Sequence, residues 1–265
     1  MWFDNLMDDC KQGLLVANQY KGVFVPIFLR LAMNIIIGVV LVIGVIATIA
    51  GGTLAGIADG EPFKVIMSVI VSGGIVMLIG YFAYLLLWGL IEVGSINLYR
   101  AALNDEKPTK AHFFGGIKSY IGKVFAGKLL IHFVCIIASP ILIALYLIFL
   151  VLVGIPTGGW GAVFLSVAIG VYFATWTIAI VHDNLSAVQG IKTSFRLARQ
   201  RFKPLFVIIL TSLMIIQFSV SLIGPLGTFF AGWLISGVLG TYFRIVIYMT
   251  YMRYSDNEKP AVEVE

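Results

Sequence analysis

The chain has 265 residues, of which 60% are hydrophobic and 12% charged, and its mean hydropathy is +1.01. This excludes a soluble globular protein, whose core cannot hide so much apolar surface. The net charge of +5 is small and points to no nucleic-acid partner, so where the charges lie matters more than their sum.

At the amino terminus Asp4, Asp8 and Asp9 occupy the stretch where a cleavable export signal would be basic, so none is expected. Phe3, Met7, Cys10 and Leu14 recur at helical spacing. They predict a short amphipathic helix lying on the cytoplasmic interface before the first span. Cys10 and Cys135 are the two cysteines and imply no disulfide framework; Cys10 reads as a half-buried side chain.

About 20 apolar residues are needed to cross the hydrocarbon. Six segments meet that requirement, at about residues 24–50, 65–91, 129–153, 160–181, 205–224 and 229–252. An uncharged glycine-rich turn over residues 154–159 separates the third and fourth, and a turn around Pro225 and Gly227 separates the fifth and sixth. Ser139-Pro140 should kink the third span without ending it, because lipid offers the backbone no competing water. The fold class predicted is therefore all-α, a single six-span membrane domain over residues 1–254, with a polar, disordered tail from 255 to 265.

Short cytoplasmic loops retain Lys and Arg. Placing the amino terminus inside puts every basic residue except Lys64 on that side, near it or in the inner membrane half. Asp59 and Glu61 add little. Both termini are thus expected on the cytoplasmic side of the membrane.

Two cytoplasmic loops are long enough to fold. The first, residues 92–128, carries Arg100, Lys107, Lys110, Lys118, Lys123 and Lys128, with Asn104-Asp105 and Pro108 as a break between two helices. In the second, Ser186-Ala187-Val188-Gln189 has the Ser-x-x-Gln pattern of a capping box after Asp183-Asn184. A helix should follow, with Lys192, Arg196, Arg199 and Lys203 on one stripe and Ile191, Phe195, Ala198 and Phe202 on the next. Such a helix lies along the membrane surface and fits contact with anionic lipid or a partner protein. Both loops contain Gly-Ile-Lys, at residues 116–118 and 190–192, an echo for which internal duplication and chance recurrence are both open.

The stretch 183–210, with Ser186-Ala187, Gly190, Ser194 and a basic run before Phe202 and Phe206, resembles the loop between spans four and five of the bacterial YciC-like membrane proteins. That group looks related to the membrane domain of glycerophosphodiester phosphodiesterases. Residues 96–118, with Tyr99-Arg100, Pro108, Phe113-Phe114 and Gly116, resemble the same group's loop between spans two and three. The resemblance covers roughly residues 92–210. It implies a six-span architecture and no activity, because catalysis in those phosphodiesterases belongs to a separate soluble barrel, and it transfers no site residues.

Phosphate-loop, His-Glu-x-x-His and Gly-x-Ser-x-Gly motifs are absent, and His112, His132 and His182 are scattered singly. No catalytic residue, metal site or cofactor is expected. Arg30, Glu92, Lys128, His132, Asp183 and Arg244 lie in the inner membrane half or at its edge, while Gln217 is the main strongly polar residue of the fifth span. A coupled transporter usually places a carboxylate or an unwound helix near the midplane, so the asymmetry weighs against one.

Two readings of the inner polar set are open. In one, Arg30, Lys128 and Arg244 snorkel while Glu92 and Asp183 cap spans. In the other, Arg30, Glu92 and Arg244 form a polar cluster, Glu92 pairing with Arg30 or Arg244 in a cytoplasm-facing cavity that receives a lipid headgroup or another anionic ligand. Arg244 favours the second, being about eight residues, roughly 12 Å, inside its span. Gly232, Ser236 and Gly240, and likewise Gly52 and Gly56, repeat at every fourth position and suit close packing within the bundle or in a homodimer.

The function expected is that of a non-enzymatic membrane protein binding or organising anionic lipid or a membrane partner through a basic cytoplasmic face. The alternative is a transport protein, either a facilitator or a permease subunit working with a separate ATPase. The orientation is tested by single cysteines in an otherwise cysteine-free chain. Those at positions 60 and 158 should react with an impermeant thiol reagent in intact cells, and one at position 257 should react only after lysis.

Overall fold

In lipid each backbone N–H and C=O must find its partner inside the protein, and an apolar single chain does this as helices. The computed structural model describes residues 2–59, 62–153, 155–222 and 232–258, and all regular elements among them are helical. In chain order they are α1 (Trp2–Gln19), one 3-10 turn (Lys21–Phe24), α2 (Val25–Asp59), α3 (Pro62–Leu103), α4 (Lys110–Val153), α5 (Ile155–Phe173), α6 (Trp176–His182), α7 (Ala187–Gln200), α8 (Phe202–Leu222) and α9 (Trp233–Glu258). Six stretches are long and apolar enough to cross a membrane: Lys21–Gly51, Val69–Leu103, Lys110–Ile141, Val163–His182, Phe202–Ser219 and Trp233–Ser255. The chain is an all-α, multi-pass integral membrane protein.

Several boundaries differ from expectation. With 42 and 44 residues, α3 and α4 are about 65 Å long, roughly twice the hydrocarbon thickness. Residues 92–128 are therefore not a separately folded loop but the continuations of two spans, interrupted only over 104–109. Asp105 takes the left-handed conformation there, φ 57°, which Asp tolerates better than most residues. Residues 255–258, expected in the tail, continue α9. The rest of the tail, the turn at Pro225 and Gly227, and Gly154 lie outside the described residues, as do the surroundings of Gly52, Gly56 and Lys64.

Helix α4 runs through Pro140. Proline has no N–H for the carbonyl four residues back, and that carbonyl, on Ile136, instead accepts from the Ser139 hydroxyl at 2.8 Å.

The chain divides into two compact units, residues 28–91 and residues 1–27 with 92–265. In the first, α2 and α3 meet at glycine notches: a Cβ on Gly44 would stand 2.7 Å from Val76, and one on Gly80 would stand 2.5 Å from Leu41. Large apolar side chains such as Ile36, Ile43 and Ile79 are exposed, as a lipid-facing surface requires.

The second unit is built around α6. Its residues Trp176 to Val181 are all buried, packed with Val93, Val124, Leu197, Leu205, Tyr248 and Tyr251. Helix α1 docks on α9 through Leu6, Asp9, Gly13 and Ala17. Phe3, Met7 and Leu14 of the expected stripe face outward. A Cβ on Gly13 would stand 3.0 Å from Val246, Asp9 pairs with Arg253 at 2.7 Å, and the Tyr242 hydroxyl donates to the Cys10 carbonyl at 2.9 Å. Burial pushes the Asp9 carboxyl up more than the Arg253 charge pulls it down. The desolvation cost of Asp9 thus offsets part of what the ion pair contributes to stability.

The fourth span is broken between α5 and α6, at Ala174-Thr175. Fully buried Ser194 of α7 repairs the break: its hydroxyl donates to the Tyr172 carbonyl at 2.7 Å and accepts from the Thr175 N–H at 3.3 Å and the Thr175 hydroxyl at 3.0 Å. One side chain thus fills gaps on both sides of the discontinuity. Ser194→Ala should cost about 1–3 kcal/mol, because it strands buried polar groups without disturbing packing volume. Thermal unfolding of the purified protein and faster hydrogen exchange at the Thr175 amide check this.

Candidate functional site

Glu92, on the part of α3 within the larger unit, is 8% exposed, and its carboxylate is the meeting point of three helices besides its own. Lys128 of α4, also 8% exposed, donates to Oε2 at 2.6 Å. The Thr177 hydroxyl of α6 donates to Oε1 at 2.8 Å, and Nη1 of Arg244 on α9 stands 3.6 Å from the same oxygen. Arg244 occupies the middle of its 23-residue apolar segment. Its side chain is about one-third exposed, against 11% for Glu92.

The structure thus brings Glu92 and Arg244 together and adds two partners that sequence reasoning did not supply. Lys128, assigned to snorkelling, is instead buried in an ion pair. Glu92 lies 11 residues before the end of α3 and Lys128 lies 18 residues after the start of α4. A straight antiparallel hairpin would separate them along its axis by about 10 Å, so no spacing in the sequence signals the pair. Arg30 belongs to the smaller unit, where its guanidinium lies 5.3 Å over the Trp88 ring.

A cavity of about 310 Å³ adjoins this cluster. Glu92, Thr177, Ser212 and Arg244 give it a polar side, and Phe173, Ile209 and Phe243 contribute to an apolar one. Gly170 and Gly240 also line it, and a Cβ on either would meet nothing within 4 Å. Gly240 was expected to be a close-packing position. It is instead one of two places where the absence of a side chain leaves the cavity open, while neighbouring Gly237 makes the close contact, with Ile27. Gly170 carried no signal, because an isolated glycine in a span most often means packing.

The second candidate is α7. Ser186 caps it as predicted, accepting from the Gln189 N–H in a full capping box. Its buried face is Gly190, Ser194, Leu197 and Ala198, so the helix is docked in the protein rather than lying loose on a surface. A Cβ on Gly190 would come 3.0 Å from the Trp176 carbonyl oxygen. Phe195, expected to insert into lipid, packs against Tyr172 and Phe173 with ring centroids 5.2 Å apart in each case. Lys192, Arg196 and Arg199 are exposed, alongside half-buried Ile191 and Phe195. Lys203 is exposed too, but beyond the break at Arg201, on α8, so the expected stripe of four spans two helices.

The turn before α7 is locked from two sides. Lys123 donates to the Asn184 side chain at 2.8 Å, and the Tyr251 hydroxyl donates to Asp183. The three histidines make separate local contacts: His112 with Thr109, His132 with the Lys128 carbonyl, and His182 with the Tyr248 hydroxyl. Gln217 is exposed.

Comparison with protein-family models, curated proteins and solved structures gave no significant match. Glu92→Gln removes the one negative charge between Lys128 and Arg244 and should destabilise the protein by roughly 3–5 kcal/mol. Adding Lys128→Met should recover part of that loss, because it removes one of the two stranded cations. Strict additivity in unfolding measurements on the single and double variants would show that Lys128 and Glu92 act independently.

Proposed function

We propose that this is a non-enzymatic integral membrane protein that binds or organises anionic lipid, or a membrane partner, through a basic cytoplasmic face centred on α7. Membership of the YciC-like group, suggested by its loop motifs, is part of the same proposal. One observation carries the reading. Because Gly190, Ser194 and Ala198 hold α7 in the bundle, Lys192, Arg196 and Arg199 face outward as a fixed set, with Ile191 and Phe195 beside them. Each such cation contributes on the order of 1 kcal/mol near an anionic leaflet. A rigid display loses little conformational entropy on binding. The orientation that makes this face cytoplasmic comes from the one-sided distribution of Lys and Arg.

The transport reading has a different observation in its favour. A discontinuous span beside an internal cavity is a common design of substrate sites in carriers, and residues on both sides of the break, Phe173 and Thr177, line the cavity here.

The test uses the full chain extracted with its surrounding lipid, since α7 owes its conformation to the bundle. The original protein should retain anionic over zwitterionic lipid, and replacing Lys192, Arg196, Arg199 and Lys203 with Gln should abolish that enrichment. Equal enrichment in both would remove the basic face from the mechanism. An ATPase that co-purifies with the original chain and is lost with the Gln variant would favour the permease reading.

A further inference from the structure

Two positive charges, Lys128 and Arg244, meet the single carboxylate of Glu92, and of the two cations Arg244 lines the cavity, so the excess defines a ligand class. Glu92 and Lys128 neutralise each other at 2.6 Å, and the second Glu92 oxygen already accepts from Thr177. The Arg244 guanidinium stands beyond hydrogen-bond distance of that oxygen and makes no side-chain hydrogen bond among the described residues. A guanidinium has five donors, arranged in a fork that matches an oxyanion. Its place in the middle of an apolar segment makes an anionic partner for those donors favourable. Tyr99, 1% exposed and also lining the cavity, has a hydroxyl with no hydrogen-bond partner among the described residues.

The remainder of the cavity specifies what the oxyanion is attached to. A volume of about 310 Å³ is more than a bare phosphate fills, and Phe173, Ile209 and Phe243 line it with apolar surface. We propose that the cavity is a binding site for an anionic amphiphile, whose phosphate-class oxyanion is held by Arg244 and whose apolar body lies toward Phe243 and Ile209. Glu92 and Lys128 hold no ligand charge themselves; Glu92 positions Arg244. The site is independent of the α7 face, and either can fail without the other.

The test is thermal shift and calorimetric titration of the full-length protein in neutral detergent. The probes are dihexanoyl phosphatidylglycerol, dihexanoyl phosphatidylcholine and inorganic phosphate. Phosphatidylglycerol should bind best, phosphatidylcholine at least about tenfold more weakly, and phosphate alone more weakly than phosphatidylglycerol. Equal binding of phosphatidylcholine would overturn the charge requirement. Equal binding of phosphate would overturn the amphiphile and leave a free-anion site.

Gly240→Leu fills open space without touching a charge, so the variant should fold and lose phosphatidylglycerol binding. Arg244→Gln should weaken binding about tenfold or more, and the α7 Gln variant should leave it unchanged. A folded Gly240→Leu protein that binds like the original would overturn the proposal. So would loss of binding in the α7 variant alone.

Discussion

The contact on which the larger unit depends is the hydroxyl of Ser194 inside the break of the fourth span. A helix interrupted in an apolar environment leaves amide and carbonyl groups that no water can satisfy. Ser194 satisfies the Tyr172 carbonyl and the Thr175 amide together. That allows α6 to begin as a separate buried helix after the interruption, with Ile180 and Val181 fully enclosed. The same contact fixes α7, since Ser194 cannot fill the break unless Gly190 and Ala198 also lie against the bundle.

The polar cluster follows from the same discontinuity. Thr177 lies just beyond the break and reaches Glu92 from there, while Gly170, Phe173 and Ala174 on the other side form part of the cavity wall. Glu92 thereby accepts from donors on α4 and α6 and faces the Arg244 cation of α9. A carboxylate in this setting is retained only when its lone pairs are filled and its charge is matched. Lys128 matches the charge and Thr177 fills the second oxygen, leaving Arg244 as the cation that lines the cavity together with Gly170 and Gly240.

The two ends of the chain share another constraint. Leu6, Gly13 and Ala17 pack α1 along α9, and Asp9 meets Arg253 near the end of that helix. The amino-terminal helix is therefore a component of the bundle, with its exposed Phe3, Met7 and Leu14 available to the membrane interface. Its docked face carries small residues and one acid, a pattern that hydropathy alone does not select. Packing of α1 against α9 favours close approach at Gly13 over apolar bulk.

Composition and periodicity alone determined the all-α class, the six apolar segments, the helix through Pro140, the Asn104-Asp105 interruption and the Ser186 capping box. Each depends on interactions within a few residues or on the length of an apolar run, which the sequence displays directly. Tertiary structure decided the rest. It extended α3 and α4 through the expected loop, turned Phe195 inward, docked α1 on α9, broke the fourth span where no Gly or Pro announces it, and paired Glu92 with Lys128. These outcomes depend on which side chain arrives from another helix. Ser194 is 19 residues from Thr175 and Lys128 is 36 from Glu92, and at those separations the sequence carries no periodic signal, because helix crossing rather than helical repeat sets the contact.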